Sequence, residues 1–161
     1  DIKFFAHNGT HAFIAYHAFL KGYKYFSDVD QKLKEKAEKT MFNEIIPALH
    51  RAHPHFPFRE LNEYGENLLE RIYNPFFHDS IERGIRGILE KLKPNERLVS
   101  GLRFIYHQGI KPVHFASAIL AGYKIASKLK SLPESMKDFL MNHCGIIEEE
   151  LIQLVMDNPE I

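Results

Sequence analysis

The opening segment Lys3-Phe4-Phe5-Ala6-His7-Asn8-Gly9-Thr10-His11 brings an amine, an amide and an imidazole together within nine residues, at Lys3, Asn8 and His11. These are the groups a carbonyl under reduction requires. An amide and an imidazole can donate hydrogen bonds to the developing alkoxide, and an amine can exchange the proton. Asn8 stands where the chain turns into a helix, and His11 follows three residues on, on the same side of that helix. Around His11 the sequence is apolar, with Ala12, Phe13, Ile14, Ala15, Phe19 and Leu20, so the polar trio can face a cleft. The same residues also fit a purely structural account, in which Asn8 caps the helix, His11 is a satisfied core histidine and Lys3 is solvated. Spacing alone favours that account.

The chain holds ten histidines, which invites a metal reading. His7 and His11 are four apart, His50, His53 and His55 gather around a proline-rich connector, and His78-Asp79 forms an HD pair. Helical metal-dependent phosphohydrolases hold metal with scattered histidines and such a pair, and imidazole with carboxylate suits zinc or another first-row metal. Ten histidines also produce such pairs by chance, and Asp79 suits the positive end of a starting helix. No metal ligand is assigned. A helical phosphohydrolase and a non-enzymatic helical interaction domain stand as the alternative functions. The nucleotide motifs G-x-G-x-x-G and G-x-x-x-x-G-K-[ST] are absent, as are G-x-S-x-G, C-x-x-C and H-E-x-x-H. The chain therefore binds no nucleotide through a phosphate loop of its own.

The elements that must position these residues read as helices throughout. Ile2–Phe5 reads as the end of a strand. A helix from about Thr10 to Lys21 stops at Gly22. A second starts at Asp28 or Asp30 and runs through Ile45, with Pro47 kinking or ending it. Phe58 to Tyr73 makes a third, stopped by Asn74-Pro75. Phe76 to Leu92 gives a fourth, interrupted at Gly84 and Gly87. Pro94-Asn95 opens a fifth that ends at Gly109. Pro112 and Pro133 sit at the starts of the sixth and seventh, and Ile146 to Met156 is an eighth. The expected fold is all-α, a single domain of seven to eight helices.

Composition narrows the class. The 161 residues are 45% hydrophobic and 26% charged, and 21 Lys and Arg balance 21 Asp and Glu. That balance gives no reason to expect nucleic acid or a membrane surface as a partner, and no apolar run approaches a membrane span. One cysteine, Cys144, excludes an internal disulfide framework and is compatible with a cytoplasmic location. Charge is segregated nonetheless. Residues 81–130 hold ten Lys and Arg against three Glu, and residues 134–161 hold one Lys against seven Asp and Glu. The two segments either pair with each other or face water, or the basic one surrounds an anion pocket.

K-x-x-x-x-N-x-x-H-A at Lys3, Asn8 and His11, followed by Ala15-Tyr16 and Leu20-Lys21-Gly22-Tyr23, resembles the C-terminal helical domain of the polyol-specific long-chain dehydrogenases, the mannitol dehydrogenase family. A second block supports the resemblance. Leu69-Glu70-Arg71-Ile72-Tyr73-Asn74-Pro75 is similar to the family's RF-x-NP segment. Asp79, Glu82-Arg83, Arg86, Lys91-Leu92 and Asn95-Glu96-Arg97-Leu98 resemble the D-x-x-x-R-x-x-R and RKLS-x-x-DRL stretches of its mannitol-1-phosphate branch. Glu90 stands where that branch often has Arg, and Lys93 where it has Ser. The similarity covers about residues 2–125.

The resemblance implies a C-terminal helical domain like that of 6-phosphogluconate dehydrogenase. It implies Lys3 as general acid/base, with Asn8 and His11 orienting and polarising the carbonyl. Lysine is almost wholly protonated at neutral pH, so that role needs burial or a neighbouring cation. Arg83 and Lys91 match substrate-contacting positions. Arg86 and Arg97 are assigned to a sugar phosphate, whose geometry guanidinium suits. The implied substrates are a polyol or polyol phosphate and the matching ketose. The implied cofactor is NAD, held mainly by an N-terminal nicotinamide-binding domain that this segment lacks. The expectation is that the chain is a C-terminal piece of a two-domain enzyme, binds NADH weakly by itself and does not turn over alone.

Overall fold

A helix that is apolar on every side has to be central. In the computed structural model, which describes residues 1–132 and 134–159, helix α1 (Thr10–Leu20) is that element. From Thr10 to Ala18 each of its side chains is buried except His11. Its ends follow the sequence. Gly22, at φ +81°, accepts the left-handed turn, and the Tyr23 N–H reaches back to the Ala18 carbonyl at 3.0 Å.

The segment before α1 corrects the sequence reading. Ile2–Gly9 is a wide-turn π-helix running straight into α1, not the end of a strand. A four-residue apolar run does not distinguish strand from helix by period. Here burial decides: Phe5 stacks on Phe104 with ring centroids 4.3 Å apart. Asn8 therefore caps nothing, because the backbone is already helical on either side of it.

Asp30 caps α2 (Gln31–Lys39) by accepting the Leu33 N–H at 2.7 Å. Pro47 does not end this helix. A π-helical stretch, Thr40–Ile45, carries the chain into α3 (Ile46–Ala52), and Pro47 falls in the first turn of α3, where a missing N–H is tolerated. Helix α4 (Phe58–Tyr73) has the expected bounds, and Asn74 accepts the Phe76 N–H in the turn that follows.

The fourth expected segment is divided. Ser80 caps α5 (Ile81–Ile85), and the left-handed Gly87 separates it from α6 (Ile88–Lys91). Gly84 does not break α5. It lets α5 lie on α1, since a Cβ there would stand 2.5 Å from that of Ala15.

Helix α7 (Arg97–His107) stops before the left-handed Gly109, and α8 (Val113–Lys130) follows Pro112. The start of α8 is capped from a distance. The buried Glu44 carboxylate accepts the His114 and Phe115 N–H groups at 2.7 and 2.8 Å. Helix α8 is buried continuously from Phe115 to Gly122 and packs on α1.

The helix expected to start at Pro133 has its start outside the described residues; α9 (Met136–Asp138) continues into the π-helical Phe139–His143, and α10 (Glu149–Met156) closes the chain. The acidic C-terminal segment pairs with α7. Arg103 meets Glu148 at 3.2 Å and donates to the Gly145 carbonyl, and the Tyr106 hydroxyl donates to Glu150 at 2.7 Å. The fold is all-α, with no strand ladder among the described residues.

Two substitutions test this packing. Gly84→Ala should destabilise the chain by about 1–3 kcal/mol, because the added methyl overpacks the α1–α5 contact. Glu44→Ala should cost roughly 2–3 kcal/mol by orphaning two N–H groups of α8, and Glu44→Gln should cost less because it keeps one acceptor. Urea unfolding followed by circular dichroism measures both.

Candidate active-site cleft

His11 is the one side chain through which the buried part of α1 opens outward. The ring of Phe26 covers it on one side, with centroids 4.3 Å apart. The residues facing it arrive through a long-range pairing. Ile81 N–H donates to the Lys24 carbonyl at 2.9 Å, and Phe26 N–H to the Asp79 carbonyl at 3.1 Å. The turn before α5 is thereby held against residues 24–26. His78, at φ 44°, makes that turn. Asp79 then points at α1, and its Oδ2 lies 2.8 Å from His11 Nε2. Arg83, one turn along α5, brings Nε to 3.7 Å from Asp79 Oδ1.

These groups line a cleft of about 300 Å³. His7, Asn8 and His11 form one wall, from the π-helix and α1. Asp79, Arg83 and Gly84 form the second, and Lys91 and Arg97 the third. Lys91 donates to the Gly84 carbonyl at 2.8 Å, which fixes its amine at the end of α5. The buried Nε of Arg97 has no hydrogen-bond partner among the described residues. A second cavity of about 220 Å³ adjoins the first, sharing His7, His11, Asp79 and Arg83 and adding Arg71 and Phe77.

The field in the cleft favours an anion. Burial lowers the pKa of Lys91, and the nearby Arg97 and Arg86 lower it further. Burial also lowers His7 and His11 below the usual histidine value; Asp79 acts against burial at His11, while Arg83 and Lys91 act with it. Both imidazoles are therefore mostly neutral at pH 7. The cations of the cleft have one carboxylate among its lining residues, and Asp79 is engaged with His11 and Arg83.

The residues singled out in the sequence are distributed unequally. Asn8, His11, Arg83, Lys91 and Arg97 line the one cleft. Arg86 does not. After it the chain reverses at Gly87, and Arg86 lines a separate groove with Glu82, Ile88 and Leu129. Lys3 is exposed on the first turns of the π-helix, and its charge is felt by His7. The cleft also includes His7, which the sequence offers only as a metal ligand, and Asp79, which the sequence offers as a metal ligand, as a helix start and as the Asp of the D-x-x-x-R stretch, with no catalytic or substrate role assigned to either. The spacing of Asp79 and Arg83, four apart, was the one local signal of their pairing.

The metal reading finds no donor set. Among the described residues no three His, Cys, Asp or Glu side chains come together as a metal-holding group. His78 packs its ring edge-on against Tyr25, while Asp79 turns to His11. His53 bonds to Asp1 at the start of the chain and His50 to the Phe56 carbonyl in the connector. A larger groove of about 550 Å³, between Lys111 and α10, contains no imidazole or guanidinium and offers less chemistry. No helix among the described residues is long and apolar enough to cross a membrane.

Comparison with known proteins points the same way as the opening motif. Mannitol-1-phosphate 5-dehydrogenase of Clostridium acetobutylicum is 33% identical over 122 residues, covering 75% of this chain and 32% of that protein. The enzyme of the same name from Thermoanaerobacter pseudethanolicus is 32% identical over 143 residues, covering 85% and 36%. That of Aspergillus fumigatus is 28% identical over 135 residues, covering 81% and 33%. The chain thus spans about a third of the length of the curated relatives it matches. Residues 1–156 match the family model of the mannitol dehydrogenase C-terminal domain, and the chain belongs to that family.

Proposed function

We propose that the chain forms the substrate side of an NAD-dependent dehydrogenase that interconverts a polyol phosphate and a ketose phosphate, mannitol 1-phosphate and fructose 6-phosphate. The observation that carries this reading is the single cleft in which Asn8 and His11 face Arg83, Lys91 and Arg97. A neutral hexitol does not repay the desolvation of three cations, whereas a doubly charged phosphate does. The relatives' names support the phosphorylated substrate.

In this reading the sugar lies along the cleft with its phosphate toward Arg97 and Lys91 and its reacting carbon toward Asn8 and His11. The Asn8 amide donates to the substrate oxygen as charge develops on it. Lys3 exchanges the proton of that oxygen. Lys3 is exposed on this chain. The dry surroundings its role needs come from a nicotinamide-binding domain docked over that edge. NAD, when bound, supplies the hydride acceptor. In this reading the N-terminal domain holds NAD for the most part, and this chain's residues act on the substrate and its proton.

Two measurements on the full-length enzyme test these roles. Lys3→Ala should lower kcat by roughly 10²–10⁴-fold, and Asn8→Ala by about 10²–10³-fold, with folding intact by circular dichroism. Near-normal turnover by Lys3→Ala would remove Lys3 from the reaction. Steady-state kinetics on both sugars test the phosphate. Fructose 6-phosphate should be preferred to fructose in kcat/KM. Arg97→Ala should raise KM for the phosphorylated sugar roughly 10- to 150-fold, the scale of one lost charge-assisted contact. Arg86→Ala, outside the cleft, should raise it less. Equal efficiency on the two sugars would overturn the phosphate assignment.

A further inference from the structure

The pair His11–Asp79 joins residues 68 positions apart, and its geometry constrains what His11 can do. A carboxylate can only accept, so His11 Nε2, at 2.8 Å from Asp79 Oδ2, carries the proton. In the neutral ring Nδ1 is then a lone pair, and it has no hydrogen-bond partner among the described residues. The neutral ring therefore accepts a hydrogen bond from a substrate hydroxyl, and only the imidazolium donates one to a ketone oxygen.

The pairing is built to persist. The backbone of Asp79 is tied to Phe26, whose ring lies against His11. Both side chains are largely shielded, at 20% and 22% exposure, so water competes weakly for the bond. Asp79 Oδ1 is buried without a hydrogen-bond partner, with only the Arg83 guanidinium at ion-pair range. A buried carboxylate oxygen left so is a cost to the fold, and such costs gather at functional sites.

We infer that Asp79 is the positioning residue of His11: it sets the tautomer of the ring and keeps the imidazolium accessible for hydrogen bonding to a carbonyl oxygen. The charged or titratable groups facing His11 are His7 on the π-helix that runs into α1, Arg71 on α4, Asp79 just before α5 and Arg83 on it, Lys91 on α6 and Arg97 at the start of α7. Of these, Asp79 alone is negative. It raises the His11 pKa against burial and against Arg83 and Lys91. Without it, protonated His11 is confined to lower pH. The inference rests on the dehydrogenase reading above for its place in a reaction.

Nitrogen-15 NMR of His11 in this chain, together with pH profiles of fructose 6-phosphate reduction by the full-length enzyme, provides the test. The wild type should show the Nε2–H tautomer. Asp79→Asn, whose amide can accept or donate, should lose that tautomer preference and lower the His11 pKa. The alkaline limb of the kcat profile should move to lower pH, with kcat down roughly 10- to 150-fold and KM little changed. Asp79→Glu should restore both signals in part. An Nδ1–H tautomer in the wild type, or an unchanged tautomer and pKa in Asp79→Asn, would overturn the inference. So would a pH profile that stays in place while the tautomer changes. Expected NMR behaviour in an enzyme that turns over neither sugar would instead sink the dehydrogenase reading and leave the pair standing.

Discussion

The architecture depends on one constraint: α1 is too apolar to have a wet face. Burying it from Thr10 to Ala18 requires neighbours on every side, and α8 and α5 are the principal ones. Helix α5 is only five residues long, too short to be stable alone. It is held by its contact with α1 at Gly84 and by the pairing of Ser80 with Tyr25. The polar cleft is thus a by-product of how a hydrophobic rod is covered. Where coverage is incomplete, at His11, polar groups from four elements converge.

That origin explains the charge layout. The acidic C-terminal segment neutralises Arg103 on α7 through Glu148, and is tied to the same helix by the Tyr106 hydroxyl on Glu150. It leaves Lys91 and Arg97 to the cleft. Segregated charge in the sequence is therefore resolved in two ways at once. One part becomes a clasp that closes the bundle, and the other keeps a positive cleft in which the buried Arg97 Nε has no hydrogen-bond partner among the described residues.

Much of the fold was legible because helix ends are local chemistry. Gly22, Asp30, Asn74-Pro75, Gly109 and Pro112 each mark a boundary through their own backbone or side-chain preference. What was illegible depended on partners distant in sequence. Ile2–Phe5 is helical because Phe5 has Phe104 to stack on. Pro47 sits inside a continuing rod because a π-turn shifts the register ahead of it. Within the cleft, Asn8 and His11 stood out by type and spacing, while Arg83, Lys91 and Arg97 were named only through the resemblance to the mannitol dehydrogenase family. That Arg86 turns away follows from the backbone reversal at Gly87, whose direction is not written in the residue types. That Asp79 reaches His11 follows from a backbone bridge to residues 24–26, which no local pattern encodes.

The turn that delivers Asp79 carries a side chain where glycine would be cheaper. His78 is left-handed at φ 44°, a conformation that L-residues adopt at a cost. A glycine there would relieve that cost and add thermal stability. It would also widen the range of angles open to the peptide that aims the carboxylate. The position is thus a point of conflict between robustness and precision. Engineering this domain for heat tolerance by the usual removal of backbone strain would soften the support of its own cleft.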